Sequence, residues 1–145
     1  MFFDKTTDEL LKQLHNEDRI EEYLSDYNNE FMDLSVAEYL EEMLKKYSLE
    51  KSEVINKSRL NQIYGYQIFS GVKASPSRDK LLQIVFGMGL ELKETQRLLK
   101  IAGVNELYPR GKRDSIIIFA INKKLSITEC DDLLYDMNEK TILDN

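Results

Sequence analysis

Asn61, Gln62 and Gln67 place three carboxamides within seven residues, with Ile63 and Tyr66 between them and Ser70 one turn further on. Cations stand on either side at Lys51, Lys57, Lys73 and Arg78. On a helix, most of the 61–70 set would face outward together. A carboxamide carries a donor and an acceptor side by side, the pairing that fits an adenine edge in the major groove of duplex DNA, and an isoleucine there can touch a thymine methyl. Lysine, arginine and helix N-termini suit phosphate oxygens. The chemistry these residues offer is recognition, not bond-making. The signatures GxxxxGK, HExxH, GxSxG and CxxC do not occur. His15 and Cys130 are the single histidine and cysteine, so no His/Cys metal site, internal disulfide or cofactor is expected. Cys130 has no base at an activating spacing and reads as a small packing residue. No enzymatic activity is expected.

The formal charge of −6 argues at first against a polyanion ligand, but it is unevenly spread. Residues 1–48 hold 5 basic and 13 acidic side chains, 49–113 hold 12 and 6, and 114–145 hold 3 and 7, giving −8, +6 and −4. A basic centre between acidic flanks is what a localised phosphate-binding surface would produce. Chance variation among solvated faces is the plain alternative.

The elements that would position these residues are helices. The 145-residue chain is 42% apolar with two prolines and six glycines, which suits an all-α fold of about one domain. Its apolar runs, such as 116–121, are far shorter than the roughly 20 residues a membrane span needs. The start, MFFDKTTDEL, has acids where a secretory leader would be basic and then apolar, so a cytoplasmic protein without a membrane partner is expected.

Thr6 and Glu9 form a capping pair for a short helix ending near His15 and Asn16. A second helix is expected over 18–31, with Ile20, Tyr23, Leu24, Tyr27 and Phe31 on one stripe and acids opposite. Residues 1–33 thus read as an acidic helical arm, available to a protein partner or able to cover the basic centre. Ser35 and Glu38 cap a helix to about Tyr47, with Val36, Tyr39, Leu40, Met43, Leu44 and Tyr47 on its inner stripe. A helix over 49–57 turns Val54 and Ile55 inward, 58–60 make a corner, and Asn61 caps a helix over 61–70 that Gly71 ends. Ile68 points inward from that helix. VKASPS is a turn, Ser77 caps the next helix, and Gly87 and Gly89 are expected to make the turn at its end.

From Arg78, RDKLLQIVFGMGLELKETQRLLKIAG aligns without gaps to RDSIIIFAINKKLSITECDDLLYDMN from Arg113, an offset of 35. Either shared helix-hairpin chemistry or a duplicated hairpin accounts for the match. The run 116–121 is apolar almost all round and should be buried on several sides. Arg110, Lys112 and Arg113 in the linker either approach phosphates or cover the surface.

VINKSRLNQIYGYQIFSG, then SPS, then RDKLLQIVFGMGLELKETQRLL resembles the Cro/CI-type (XRE-family) helix-turn-helix domain, over about residues 34–103. The resemblance implies a helical bundle: a five-helix domain with the acidic arm 1–33 before it and an extra C-terminal helix pair, 104–145, packed on it. It implies a repressor-like transcription regulator of bacterial or phage type that binds double-stranded DNA as a homodimer. Helix 61–70 would read the major groove through Asn61, Gln62, Ile63, Tyr66, Gln67 and Ser70, with Lys51 in the place of a phosphate-contacting residue. Three positions depart from the family: Ile55 where it prefers a small residue, Arg59 where it has glycine, and Gly65 where it has a branched apolar residue. Ile55 and Gly65 face each other in that packing, so a large-for-small exchange would conserve volume. A left-handed arginine at the corner would cost about 1 kcal/mol, which points to another backbone shape there. Phe69 replaces a commonly acidic residue. The departures, the acidity and the aromatics of this helix leave a rival reading, a non-catalytic protein-interaction module that keeps the helix-turn-helix frame.

Overall fold

Side-chain caps decide where most of the helices begin. The computed structural model describes residues 6–16, 19–21 and 34–143, and among them every regular element is α-helical. The chain divides into two units, Met1–Asp33 and Leu34–Asn145. In the first unit, the Thr6 hydroxyl accepts the Glu9 N–H at 3.1 Å and opens α1 (Thr7–Asn16), which has no buried residue. The helix expected over 18–31 lies outside the described residues, apart from 19–21.

The second unit contains seven helices: α2 (Val36–Tyr47), α3 (Lys51–Lys57), α4 (Gln62–Ser70), α5 (Arg78–Met88), α6 (Leu92–Ile101), α7 (Lys112–Asn122) and α8 (Ile127–Asp136). Reciprocal capping boxes open α2 through Ser35 and Glu38, α6 through Glu91 and Glu94, and α8 through Ser126 and Glu129. Each pairs two N–H groups that would otherwise lack acceptors. Ser77 caps α5 and Asn61 caps α4. Helix α3 packs on α4 and α5, α2 on α4 and α6, and α8 on α5 and α7. Leu40, Ile68, Leu81, Leu82, Ile84, Leu98 and Leu99 form much of the resulting core.

A close approach of α5 to α3 sets the spacing of this core. Gly87 lies inside α5 and not in a turn as its spacing from Gly89 suggested; a Cβ there would meet Ser58 Oγ at 2.0 Å and the Val54 carbonyl at 2.6 Å. Only glycine lets α5 reach the end of α3. The turn itself belongs to Gly89, in the left-handed region at φ +68°. Beside this contact the Gln83 amide donates to the Ser58 carbonyl at 3.0 Å.

Glu94 ties α6 to α2. Tyr47 donates to its carboxylate at 2.7 and 2.8 Å, Lys46 donates to Oε2, and Tyr39 donates to its backbone carbonyl at 2.9 Å. Burial pushes the Glu94 carboxyl toward protonation, but the hydrogen bonds from Lys46, the Glu91 N–H and Tyr47 outweigh it and hold the group below its ordinary range.

The bonds of Arg78 recur at Arg113, at the offset of 35. Arg78 donates through Nε to Asn105 O at 2.8 Å and through Nη2 to Glu106 O at 3.1 Å. Arg113 makes the equivalent bonds to Lys140 O at 2.8 Å and Thr141 O at 3.2 Å. The carboxylates are exchanged between the copies: Arg78 holds Asp114 at 2.7 and 3.1 Å, and Arg113 holds Asp79 at 3.1 and 3.2 Å. Gln96 clamps the backbone of buried Leu107, and Asp131, at the equivalent place, accepts the N–H groups of Ile142 and Leu143. The two hairpins are therefore equivalent in these bonds and joined to each other by two forked ion pairs.

The copies differ in what covers them. In the first, Gln83 and Gly87 face the end of α3, and they and Ile84 are buried. Of their equivalents, Ile118 is half-buried, Asn122 is exposed, and Phe119 is 51% exposed with Lys123 Nζ 5.8 Å over its ring. Burial of 116–121 on several sides holds for Ile117, Ala120 and Ile121 and fails for the outer face of α7.

Candidate nucleic-acid interface

Helices α3 and α4 with the corner between them carry the residues singled out in the sequence. Val54 and Ile55 anchor α3 inward, Leu60 buries the corner, and Ile68 and Phe69 anchor the last turn of α4. The first described turn of α3 begins at Lys51, two residues later than expected, after an N-cap position at Glu50 that makes no side-chain cap. At the corner Arg59 is left-handed, φ +61°, so the expectation of another backbone shape is corrected: the chain accepts the conformation without glycine. Its guanidinium reaches Thr128 Oγ1, near the start of α8, at 3.3 Å. Gly71 ends α4 at φ +87°.

The outward face of α4 is narrower than its sequence suggests. Gln62, Ile63 and Tyr66 are exposed and Gln67 is half-buried, four side chains within an arc of about 140° at 100° per residue. Ile63 is 71% exposed, an unusual position for so large an apolar residue. Asn61 is exposed but its Oδ1 accepts the Tyr64 N–H at 3.1 Å, so its carboxamide holds the helix start and does not present its paired face. Ser70 is turned back on its own backbone, donating to Gln67 O at 3.2 Å and accepting from the Val72 N–H at 3.5 Å.

The cations divide into two groups. Lys57, Arg59 and Lys73 are exposed around the helix pair. Lys51 lies 3.5 Å from Glu41 across to α2. Arg78 departs most from its assignment: four of its five N–H donors are taken by Asp114, Asn105 and Glu106, which makes it a structural clamp. Arg113, expected in the linker, stands in the first turn of α7 and is equally engaged with Asp79. Two features escaped the sequence reading, the reach of Arg59 to α8 and the placement of Lys80 Nζ over the Tyr64 ring at 5.9 Å. The second lies 16 residues apart in sequence and no local signal marks it.

Other chemistry finds little support in this region. An open groove beside the start of α4, lined by Ser52, Glu53, Ile55, Asn56, Leu60 and Gln62, has a carboxylate at its edge and no cation in its lining. Among the described residues no group of three or more His, Cys, Asp or Glu side chains could hold a metal ion. Cys130 is fully buried, and burial, with Asp131 alongside, pushes its thiol up to about 12. No helix among the described residues is long and apolar enough to cross a membrane. Compared with known proteins, the chain matches no family model, no curated protein and no solved structure.

Proposed function

We propose that this protein is a sequence-specific, double-stranded-DNA-binding regulator of the Cro/CI-type helix-turn-helix kind, repressor-like and cytoplasmic, and that α4 enters the major groove. The observation that carries the reading is the solvent-facing set Gln62, Ile63, Tyr66 and Gln67 on a helix fixed from behind by Ile68 and Phe69. Exposed Lys57, Arg59 and Lys73 border it, in the segment of +6 charge. Base-edge contacts come from such a face and phosphate contacts from such flanks. The reading takes a homodimer, which gains affinity from two half-sites. The partly open outer face of α7, Ile116, Ile118 and Phe119, supplies apolar surface for that association.

The rival is a protein-interaction module on the same frame. The 71% exposure of Ile63 and 41% exposure of Tyr66 favour it, because exposed apolar groups also mark protein-binding surfaces. Binding of random duplex fragments at low and raised salt decides between them. DNA recognition requires affinity that falls steeply as salt rises, with Lys73→Ala weakening all sequences alike. Failure to bind duplex DNA at low salt, with or without residues 1–33, would leave the interaction module standing.

A further inference from the structure

Helix α4, QIYGYQIFS, contains no charged side chain. That absence has a direct chemical meaning for the proposed reading. Guanine shows two acceptors, O6 and N7, to the major groove, and arginine or lysine is the group that pairs with both. Cytosine shows an amino donor, which a carboxylate accepts. The outward face of α4 has neither. Its polar members are the carboxamides of Gln62 and Gln67, whose donor and acceptor match N6 and N7 of adenine. Its aliphatic member, Ile63, can gain from only one major-groove feature, the C5 methyl of thymine, while Tyr66 offers a ring for the same contact and a hydroxyl that donates or accepts.

The cations nearest the helix do not supply what it lacks. Lys80 stands over the Tyr64 ring, Arg59 is turned toward Thr128 Oγ1, Lys51 toward Glu41, and Arg78 is held by Asp114 and two carbonyls. Lys57 and Lys73 lie outside α4, where cations suit phosphate oxygens that carry no sequence information.

We infer that α4 reads A·T base pairs, with Gln62 and Gln67 on adenine edges and Ile63 on a thymine methyl. The inference rests on the DNA-binding reading above and adds the class of site that reading requires.

The test uses the full chain. Duplexes selected from random DNA should show A·T pairs at the central positions of each half-site, with discrimination of about 5- to 100-fold per carboxamide contact. Gln62→Ala and Gln67→Ala should each flatten the preference at one position. Within the selected duplex, replacing thymine by uracil one position at a time removes a single methyl, and at one position should weaken binding about fourfold. The Ile63→Ala protein should bind the thymine and uracil duplexes alike. Ile63 is exposed, so this variant folds as the parent does. A selected core of G·C pairs overturns the inference while leaving DNA binding in place. Uracil sensitivity unchanged in Ile63→Ala overturns the assignment of Ile63. No selection of any duplex at low salt overturns the DNA reading itself.

Discussion

A Cβ on Gly65 of α4 would stand 2.7 Å from Cγ2 and 2.9 Å from Cγ1 of Ile55 on α3, so the two positions share one volume. Ile55 is 2% exposed and cannot move into solvent. Gly65→Val should therefore destabilise the fold by about 1–3 kcal/mol through overpacking, and Ile55→Ala by about 2–4 kcal/mol through the cavity it leaves. The double variant should be less destabilised than the two losses combined, by about 1–3 kcal/mol. Urea unfolding of the four proteins measures this, and additivity would refute the shared volume.

Arg59 holds a left-handed backbone without glycine. The strain is about 1 kcal/mol, and its exposed bond to Thr128 Oγ1 at 3.3 Å returns little. Arg59→Gly should raise stability by about 0.5–1 kcal/mol, and Arg59→Ala should not. Equal midpoints for the two variants would show that the corner is not strained.

The exchanged pairs Arg78–Asp114 and Arg113–Asp79 make a prediction about cooperativity. Each guanidinium also satisfies two backbone carbonyls, and the side chains are only 15–22% exposed. Arg78→Ala or Arg113→Ala should cost about 2–4 kcal/mol, the lower part of what breaking a buried pair costs because these are partly solvated. The loss should appear in one calorimetric transition for Leu34–Asn145. A separate early transition for α7 and α8 would mean that the copies are not interlocked.

Local rules made the helix starts readable, and distance hid the rest. Ser35, Asn61, Ser77 and Ser126 each cap a helix three residues away, so chain order alone reveals them. The offset of 35 was equally open to reading because Arg, Asp, Leu and Glu recur in register. What α4 buries with Ile68 and shows with Gln62 and Ile63 follows from helical periodicity. The misplacements share a cause. Arg78 has the character of a phosphate ligand by type, and only the carboxylate of Asp114, 36 residues on, makes it structural. Gly87 has the character of a turn residue, and only Ser58 pressed against it explains a glycine within a helix. Asn61 and Ser70 have groove-facing spacing, yet their polar atoms turn back to the helix ends.

Two carboxyls should make stability sensitive to acid. For Asp114, burial favours the neutral acid, but the bonds from Arg78 and the Tyr108 N–H prevail, and its carboxyl, like that of Glu94, is held below the ordinary range. The unfolded chain then takes up protons at higher pH than the folded one. Their contribution to stability is complete above the ordinary carboxyl range, about pH 4–4.5, and is lost as pH falls through the depressed folded values. Unfolding midpoints measured from pH 6 downward should decline, and Asp114→Asn with Glu94→Gln should flatten that decline while lowering stability at pH 6. An acid limb of unchanged slope in the double variant would assign acid sensitivity to other groups.

The uncovered face of α7 sets the last expectation. Phe119 is 51% exposed where its equivalent Ile84 is fully buried, and Ile118 stands half-buried where Gln83 meets α3. If this face joins two copies, as the proposed homodimer requires, a charge there will be buried without a partner and oppose association. Phe119→Glu should convert a dimer to a monomer in sedimentation at micromolar concentration. Because the side chain supports little of the monomer's own core, the monomer's unfolding free energy from urea titration should change by no more than about 0.5 kcal/mol. DNA affinity should fall through loss of the second half-site while the salt response of the remaining binding persists. A Phe119→Glu protein that stays dimeric would exclude this face from the subunit contact.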